Sequence, residues 1–136
     1  MAAASWALQQ AIFAALAGNT ALTALLGSPR VYDTVPRGTR PPYVTFAHST
    51  VHDWSTGTDP GEEHTLTLHA WTEAHGSKQV IDIMAAMRSA LHEQPLALTG
   101  HRLVNLRHEF SEVRRVPDDE LYHGIVRFRA TTEPTP

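Results

Sequence analysis

Nine histidines in 136 residues are the first feature of this chain that could support chemistry. Imidazole nitrogen is a frequent ligand of zinc and other transition metals. His52 and His64 could form a cross-strand metal site, with Asp53 or Glu62 nearby. His48 lies too far along the strand from His52 to share an ion with it, and no motif such as H-E-x-x-H is present. The pattern favours structural histidines, and a His-dependent metal-binding enzyme is an alternative hypothesis.

Nucleophilic and acid–base catalysis have little support in the sequence. Gly76-Ser77 lacks the second glycine of a G-x-S-x-G elbow, and Ser77 is better explained as the N-cap of a helix. The carboxylate pairs Glu62-Glu63 and Asp118-Asp119 lie in or beside turns, whereas general acid catalysis needs a carboxyl in an apolar pocket. We therefore predict that the protein is not an enzyme and has no catalytic residue, metal site or cofactor.

The overall composition limits the class of partner. A hydrophobic content of 42% is sufficient for one core, so we treat residues 1–136 as a single domain. With 11 Lys and Arg against 14 Asp and Glu, the net charge of -3 provides no general positive field for nucleic acid. No window is apolar and long enough to cross a bilayer, and the absence of cysteine fits a cytoplasmic site of synthesis.

Two long strand-like runs dominate the middle of the chain. Residues 43–54 and 62–73 alternate and are rich in β-branched or aromatic residues, and the turn-rich segment 55–61 joins them. We predict a long β-hairpin over residues 43–73 that projects beyond the core. If its apolar positions face helices, then Trp71 lies on an uncovered sheet face. Exposing this ring would be costly, so we expect a partner or the hairpin itself to cover it.

The remaining segments complete an α+β domain, in which two main helices pack on one face of a mostly antiparallel sheet. A helix is predicted over residues 1–18 and a stronger one after Ser77. A second hairpin is predicted from strands at 102–115 and 120–131, followed by a flexible tail over 132–136. In the first of these strands, alternation predicts one shared face for Val104, Leu106, His108 and Phe110.

Uncovered β-structure without a catalytic site indicates association, and a second copy of the chain is the simplest partner. Arg114 and Arg115, with Arg127 and Arg129 on the partner strand, are expected near the end of one hairpin, where they could contact an acidic neighbouring subunit. An alternative is a binding module that captures a peptide by strand addition.

Several segments together resemble the small tail-completion or tail terminator proteins of long-tailed phages and gene transfer agents. The resemblance spans almost the whole chain. It is carried by Leu22–Gly27, Arg30–Tyr32, Pro41–Phe46, Leu66–Trp71, the helix to Leu91, and His123–Arg129.

This resemblance implies a structural assembly protein made in the cytoplasm of the producing bacterium and then located at the tail end of the particle. It implies a ring, typically hexameric, that caps the tail tube and receives the head-side connector or stopper protein, while DNA passes through the channel without specific binding. Segment 55–61 is then a contact region. The candidate subunit-interface residues are Trp54, Thr56, Asp59, Trp71, Arg114, Arg115, Arg127 and Arg129.

Overall fold

The computed structural model describes residues 3–73 and 75–135. It contains three helices, five strands and one short 3-10 turn, which confirms the α+β class. In chain order these are α1 (Ala4–Ala17), α2 (Thr20–Leu26), β1 (Val31–Tyr32), β2 (Tyr43–Asp53), β3 (Glu62–Glu73), α3 (Lys78–Leu91), β4 (His101–Val116), the 3-10 turn (Pro117–Asp119) and β5 (Leu121–Pro134). The first two residues of the predicted N-terminal helix lie outside the described residues.

The helices form where apolar residues recur at helical spacing. Leu8, Ile12 and Leu16 make the buried stripe of α1. The side chain of Asn19 caps α2 by accepting a hydrogen bond of 2.9 Å from the backbone N–H of Leu22. Ser77 is at the N-cap position of α3, as predicted, but among the described residues its hydroxyl makes no capping hydrogen bond.

The sheet has the order β1-β2-β3-β5-β4, and every pair is antiparallel except the short β1·β2 pair. Because side chains alternate along a strand, the residues of β3 that pack against the helices are Leu66, Leu68 and Ala70, as the sequence pattern predicts. Val126 and Phe128 of β5 lie beside them and are also fully buried.

The first hairpin is part of the sheet. β2 and β3 pair from Tyr43↔Trp71 to Asp53↔Glu62, but β3 also pairs along its whole length with β5, from Glu62↔Thr132 to Glu73↔Leu121. Since both edges of β3 are occupied by strands of the same chain, a free ribbon does not form. The part that extends past the paired residues is the connector, residues 54–61.

Two register shifts interrupt β4, and the second of them changes a predicted face. Leu106 and His108 pair with Ala130 and Phe128 on the helix side. A β-bulge between His108 and Phe110 then turns Phe110 to the opposite side, where it pairs with Arg127. The predicted common face is therefore wrong for Phe110, because an inserted residue inverts strand alternation from that point onward.

The segment expected to be a flexible tail is largely part of β5, which continues to Pro134. Thr132 is 1% exposed, and its Oγ1 shares a hydrogen bond of 2.9 Å with Nε2 of His64. Glu133 forms an ion pair with Arg102 of β4. The prediction of a tail from residue 132 is wrong for residues 132–134, because β3 and β4 both offer backbone partners to this segment. Pro136 lies outside the described residues.

Candidate functional site

The sheet face opposite the helices carries a compact group of aromatic and imidazole rings. Trp71 of β3 and His123 of β5 are cross-strand partners whose rings stack at 4.0 Å with an interplanar angle of 3°. The ring of His69 meets that of His123 edge-on at 4.2 Å. We call these three residues the Trp71 cluster. Its rings are half-buried, because each covers part of its neighbour.

Burial keeps the Trp71 cluster uncharged near neutral pH. Desolvation lowers the pKa of His123 to about 4, and the neighbouring His69 and Arg114 add to this effect while Glu112 opposes it. Desolvation also lowers the pKa of His69. The Nε2 atom of His123 is buried and makes no hydrogen bond within residues 3–73 and 75–135. The cluster is therefore a neutral and largely apolar surface on a sheet that also carries arginines.

The connector is closed by its own hydrogen bonds. The Trp54 N–H donates to the Gly61 carbonyl at 2.9 Å, and the Thr56 N–H donates to the Asp59 carbonyl at 2.8 Å. Gly61 fits closely here, because a Cβ at this position would lie 3.1 Å from the Trp54 ring and 3.2 Å from the Trp54 carbonyl oxygen, so a larger residue would have to displace Trp54. Among the predicted interface residues, the structure thus places Trp54, Thr56 and Asp59 together on one ordered loop, with the Trp54 side chain 48% exposed.

The four arginines expected at one hairpin end are spread along it. Arg114 and Arg115 pair with His123 and Tyr122 near the 3-10 turn, so they point to opposite faces. Arg127 and Arg129 lie farther along β5 and share the uncovered face.

Each of three arginines has its own local contact. The Arg127 guanidinium lies 5.0 Å from the centroid of the Phe110 ring, Nε of Arg129 is 4.0 Å from Oε2 of Glu109, and Arg114 pairs with Glu112. They are therefore separate surface groups, and the expectation of a single basic cluster is wrong.

The proposed histidine metal site does not form. His52 pairs with Glu63 on the uncovered face, whereas His64 lies on the helix side and bonds to Thr132. Within the described residues there is no group of three or more His, Cys, Asp or Glu side chains able to hold a metal ion. None of the described helices has the length and apolar character needed to span a membrane.

Sequence reasoning placed Trp71 on this face but missed His123. The partner of Trp71 is fixed by the β3·β5 register, which joins segments far apart in the chain. Tyr43 pairs with Trp71 from the other side, and its ring contacts Tyr32 edge-on at 6.0 Å. The sequence did indicate that the rings of His69 and Trp71 lie on one face, because residues two positions apart in a strand point to the same side.

Comparison with known proteins gives a consistent result. The protein-family model described as tail completion protein gp17 matches residues 10–133. No curated protein matches the chain.

Among the solved structures that match the chain, two are similar to it over nearly its whole length. One is a chain of a structure described as the virion of a native gene transfer agent (GTA) particle; it has 32% identity and a TM-score of 0.89, and the match covers 98% of this chain and 99% of that chain. A second, known by a sequence identifier alone, has 14% identity, a TM-score of 0.55 and coverage of 94% and 97%, which supports the fold.

Proposed function

Since the chain belongs to the tail completion protein gp17 family, we propose that it is a structural, non-catalytic component of the tail of a phage or gene transfer agent. One observation carries this proposal. The chain is similar over 98% of its length, at 32% identity, to a chain of a gene transfer agent virion. Likeness at this level over both whole chains supports a shared place in the particle as well as a shared fold.

We further propose that copies form a ring, hexameric in the finished particle, on the head-proximal end of the tail tube. The surfaces described above are of the kind such a position needs. The Trp71 cluster offers an apolar patch without a helix over it, and the connector presents the exposed Trp54 ring at the end of the sheet. One of these surfaces would meet the tail tube protein, and the other the head-side connector or stopper.

The charge of the chain is compatible with a channel that DNA crosses without being bound. The net charge is -3, and three of the arginines on the sheet are already engaged by Glu112, Glu109 or the Phe110 ring. Phosphate contacts would require free cations in a positive groove. We expect the protein to be made in the cytoplasm of the producing bacterium and to act at the tail end.

Deletion of the gene in a particle-producing cell tests this proposal. We expect filled heads and tails that are not joined, seen by negative-stain imaging, and loss of DNA transfer or infectivity. The wild-type gene supplied in trans should restore joined particles. Normal particles and normal transfer after deletion would refute the role.

A matched pair of variants connects the role to the structure. Trp54→Ala removes the exposed ring of the connector, whereas Leu25→Ala removes an exposed apolar side chain from α2, where Leu25 is 36% exposed. We expect Leu25→Ala to complement the deletion fully and Trp54→Ala to leave heads and tails separate. Equal complementation by both variants would exclude the connector as a docking surface.

A further inference from the structure

The sheet has an open strand edge on each of its two sides, formed by part of β2 on one side and by part of β4 on the other. β1 covers β2 at Val44 and Thr45, so residues 46–53 of β2 have a described strand on one side alone. At the other end of the sheet, β4 pairs with β5, and His92 and Glu93 cover its outer side at Leu106 and His108. The β4 edge is then open from residue 109 to residue 116. Each open edge is therefore eight residues long.

Each open edge is flanked by an apolar groove on the helix side. Beside β2, the Trp6 groove lies between α1 and the sheet; it is lined by Trp6, Phe13, Gln10, Asp33 and Phe46. Trp6 and Phe13 are 49% and 44% exposed, although both are large apolar side chains. Burying such surface is favourable at about 25 cal/mol per Å².

Beside β4, the Ile81 groove lies between α3 and the sheet. Its lining comprises Ile81, Met84, Ala85, Arg88, Ser111, Glu112 and Val113. Ile81 is 48% exposed and Val113 is 37% exposed. Two separate apolar surfaces at opposite ends of one small sheet are the arrangement expected for head-to-tail contact between identical chains.

The charges on the two grooves are complementary. The charged residue of the Trp6 groove is Asp33. The Ile81 groove carries Arg88 of α3 and Glu112 of β4, and Glu112 is already paired with Arg114. Neither Asp33 nor Arg88 makes an ion pair with another residue in the described part of the chain. Two Trp6 grooves in contact would offer Asp33 no cation, and two Ile81 grooves would offer Arg88 a single carboxylate, Glu112, which Arg114 already engages. A heterologous contact sets Arg88 against Asp33 and so gives each of them an opposite charge.

Strand direction is compatible with the heterologous contact. β2 is antiparallel to β3, β3 to β5, and β5 to β4, so β2 and β4 run in opposite directions. If the strands run approximately along the ring axis, a neighbour rotated about that axis keeps the strand direction of the first copy. Its β4 therefore meets β2 as an antiparallel pair. The two open edges lie at different positions along the strand direction, so neighbouring copies would be displaced along their strands. Such a displacement is compatible with a closed ring, because the strands of a closed sheet tilt relative to its axis.

We propose that the Trp6 groove and the β2 edge of one copy receive the Ile81 groove and the β4 edge of the next copy. The occupant of each groove is therefore a second copy of this chain. This inference rests on the proposed ring and specifies how its neighbours touch. It also accounts for the four large apolar side chains that are left exposed in the two grooves, Trp6, Phe13, Ile81 and Val113.

Cysteine cross-linking in assembled particles tests the proposal, because the chain has no cysteine of its own. Gln10→Cys and Ala85→Cys each replace an exposed helical residue in one groove. A bismaleimide reaching about 10 Å, roughly two strand spacings, should link the double variant into a ladder of oligomers. Each single variant should stay monomeric on a denaturing gel. The control, Gln10→Cys with Ala24→Cys, moves the second thiol to an exposed alanine of α2 outside both grooves and should give no links.

The possible outcomes separate this inference from the proposed function. Links in either single variant would show a symmetric contact and overturn the inference. Particles that contain the protein but give no links in the double variant would also overturn it, and would leave the tail role standing. If particles form without the protein, the tail role fails. In that case the contact between copies is tested by cross-linking the purified double variant at high concentration, and a lack of links overturns the proposed contact.

A charge exchange provides a second measurement that does not use thiols. Arg88→Glu should lower the amount of protein incorporated into particles by about fivefold, the scale of one lost surface ion pair replaced by repulsion. Adding Asp33→Arg should restore incorporation, because the pair is then reversed. Loss in both the single and the double variant, with folding unchanged by circular dichroism, would contradict the pairing of these two grooves.

Discussion

The two faces of the β3·β5 pair are built from alternate residues of the same strands, yet they have opposite properties. On one face, Leu68 and Phe128 are 0% exposed beneath the helices. On the other, Trp71 and His123 are stacked on each other and half-open to solvent. Because side chains alternate strictly, the two faces can vary independently. One face therefore stabilises the monomer, and the other is free to serve contacts with other proteins.

The largest difference between the faces should appear on removal of a buried ring. Phe128→Ala deletes a fully buried side chain and leaves a cavity, so we expect the free energy of unfolding to fall by about 3 to 5 kcal/mol. Arg129→Ala changes the adjacent residue on the open face and should cost less than about 0.5 kcal/mol. Urea unfolding followed by circular dichroism measures both. Similar losses for the two variants would abolish the distinction between the faces.

Adding volume to the covered face should have the next largest effect. A Cβ at Gly124 would lie 2.5 Å from Sδ of Met84 and 3.0 Å from a methyl carbon of Val80, so Gly124→Ala forces these side chains of α3 to shift. We expect a loss of about 1 to 3 kcal/mol in the same urea experiment. Gly57→Ala, which has no atom within 4 Å of the added Cβ, is the control. Part of the loss should be recovered with Met84→Ala, and a neutral Gly124→Ala would show that the layer is loosely packed.

On the open face, truncation of Trp71 should affect the monomer less than truncation of Phe128. Trp71→Ala removes the stack on His123, and we expect it to cost about 0.5 to 1.5 kcal/mol. Incorporation of the variant into particles should fall much more than this loss explains. A variant as unstable as Phe128→Ala would mean that Trp71 belongs to the folding core; normal incorporation would exclude it as a contact residue.

The open face should also give the stability of the chain a pH dependence. The pKa of His123 is about 4 in the folded chain and 6.5 in the reference state, so between these values the unfolded chain binds more protons. Stability contributed by neutral His123 is complete above pH 6.5 and is lost as the pH falls toward 4. We expect the urea midpoint to drop less between pH 7 and pH 4.5 in His123→Gln than in the wild type. An identical drop would assign the effect to other groups.

The alternation of β3 was sufficient to predict both faces of this strand, because burial on one side alone imposes a period of two. Leu66, Leu68 and Ala70 were separated correctly from His69 and Trp71. The same reasoning failed at Phe110, since the bulge after His108 carries no distinct residue signal. Local patterns thus define a strand and its faces but not its irregularities.

The candidate site was less predictable than the fold, because it depends on pairing between distant segments. Trp71 was nominated from the sequence, but its stacking partner His123 follows from the β3·β5 register. The β3·β5 register also drew Thr132 into the sheet, where it meets His64. The β4·β5 register separated Arg114 from Arg129. Nothing in a single strand encodes which other strand will lie beside it, so these contacts required the structure.

The position of β5 between β3 and β4 has a consequence for synthesis. Glu62 finds its partner in Thr132, so the centre of the sheet cannot close until the ribosome has delivered nearly all of the described chain. Until then β3 lacks its neighbour β5, and the nascent polypeptide exposes Leu66 and Leu68, which are buried in the complete fold. Such sequence-distant closure slows folding and leaves the unfinished chain prone to aggregation. Chaperone supply during particle production is therefore expected to influence the yield of this protein.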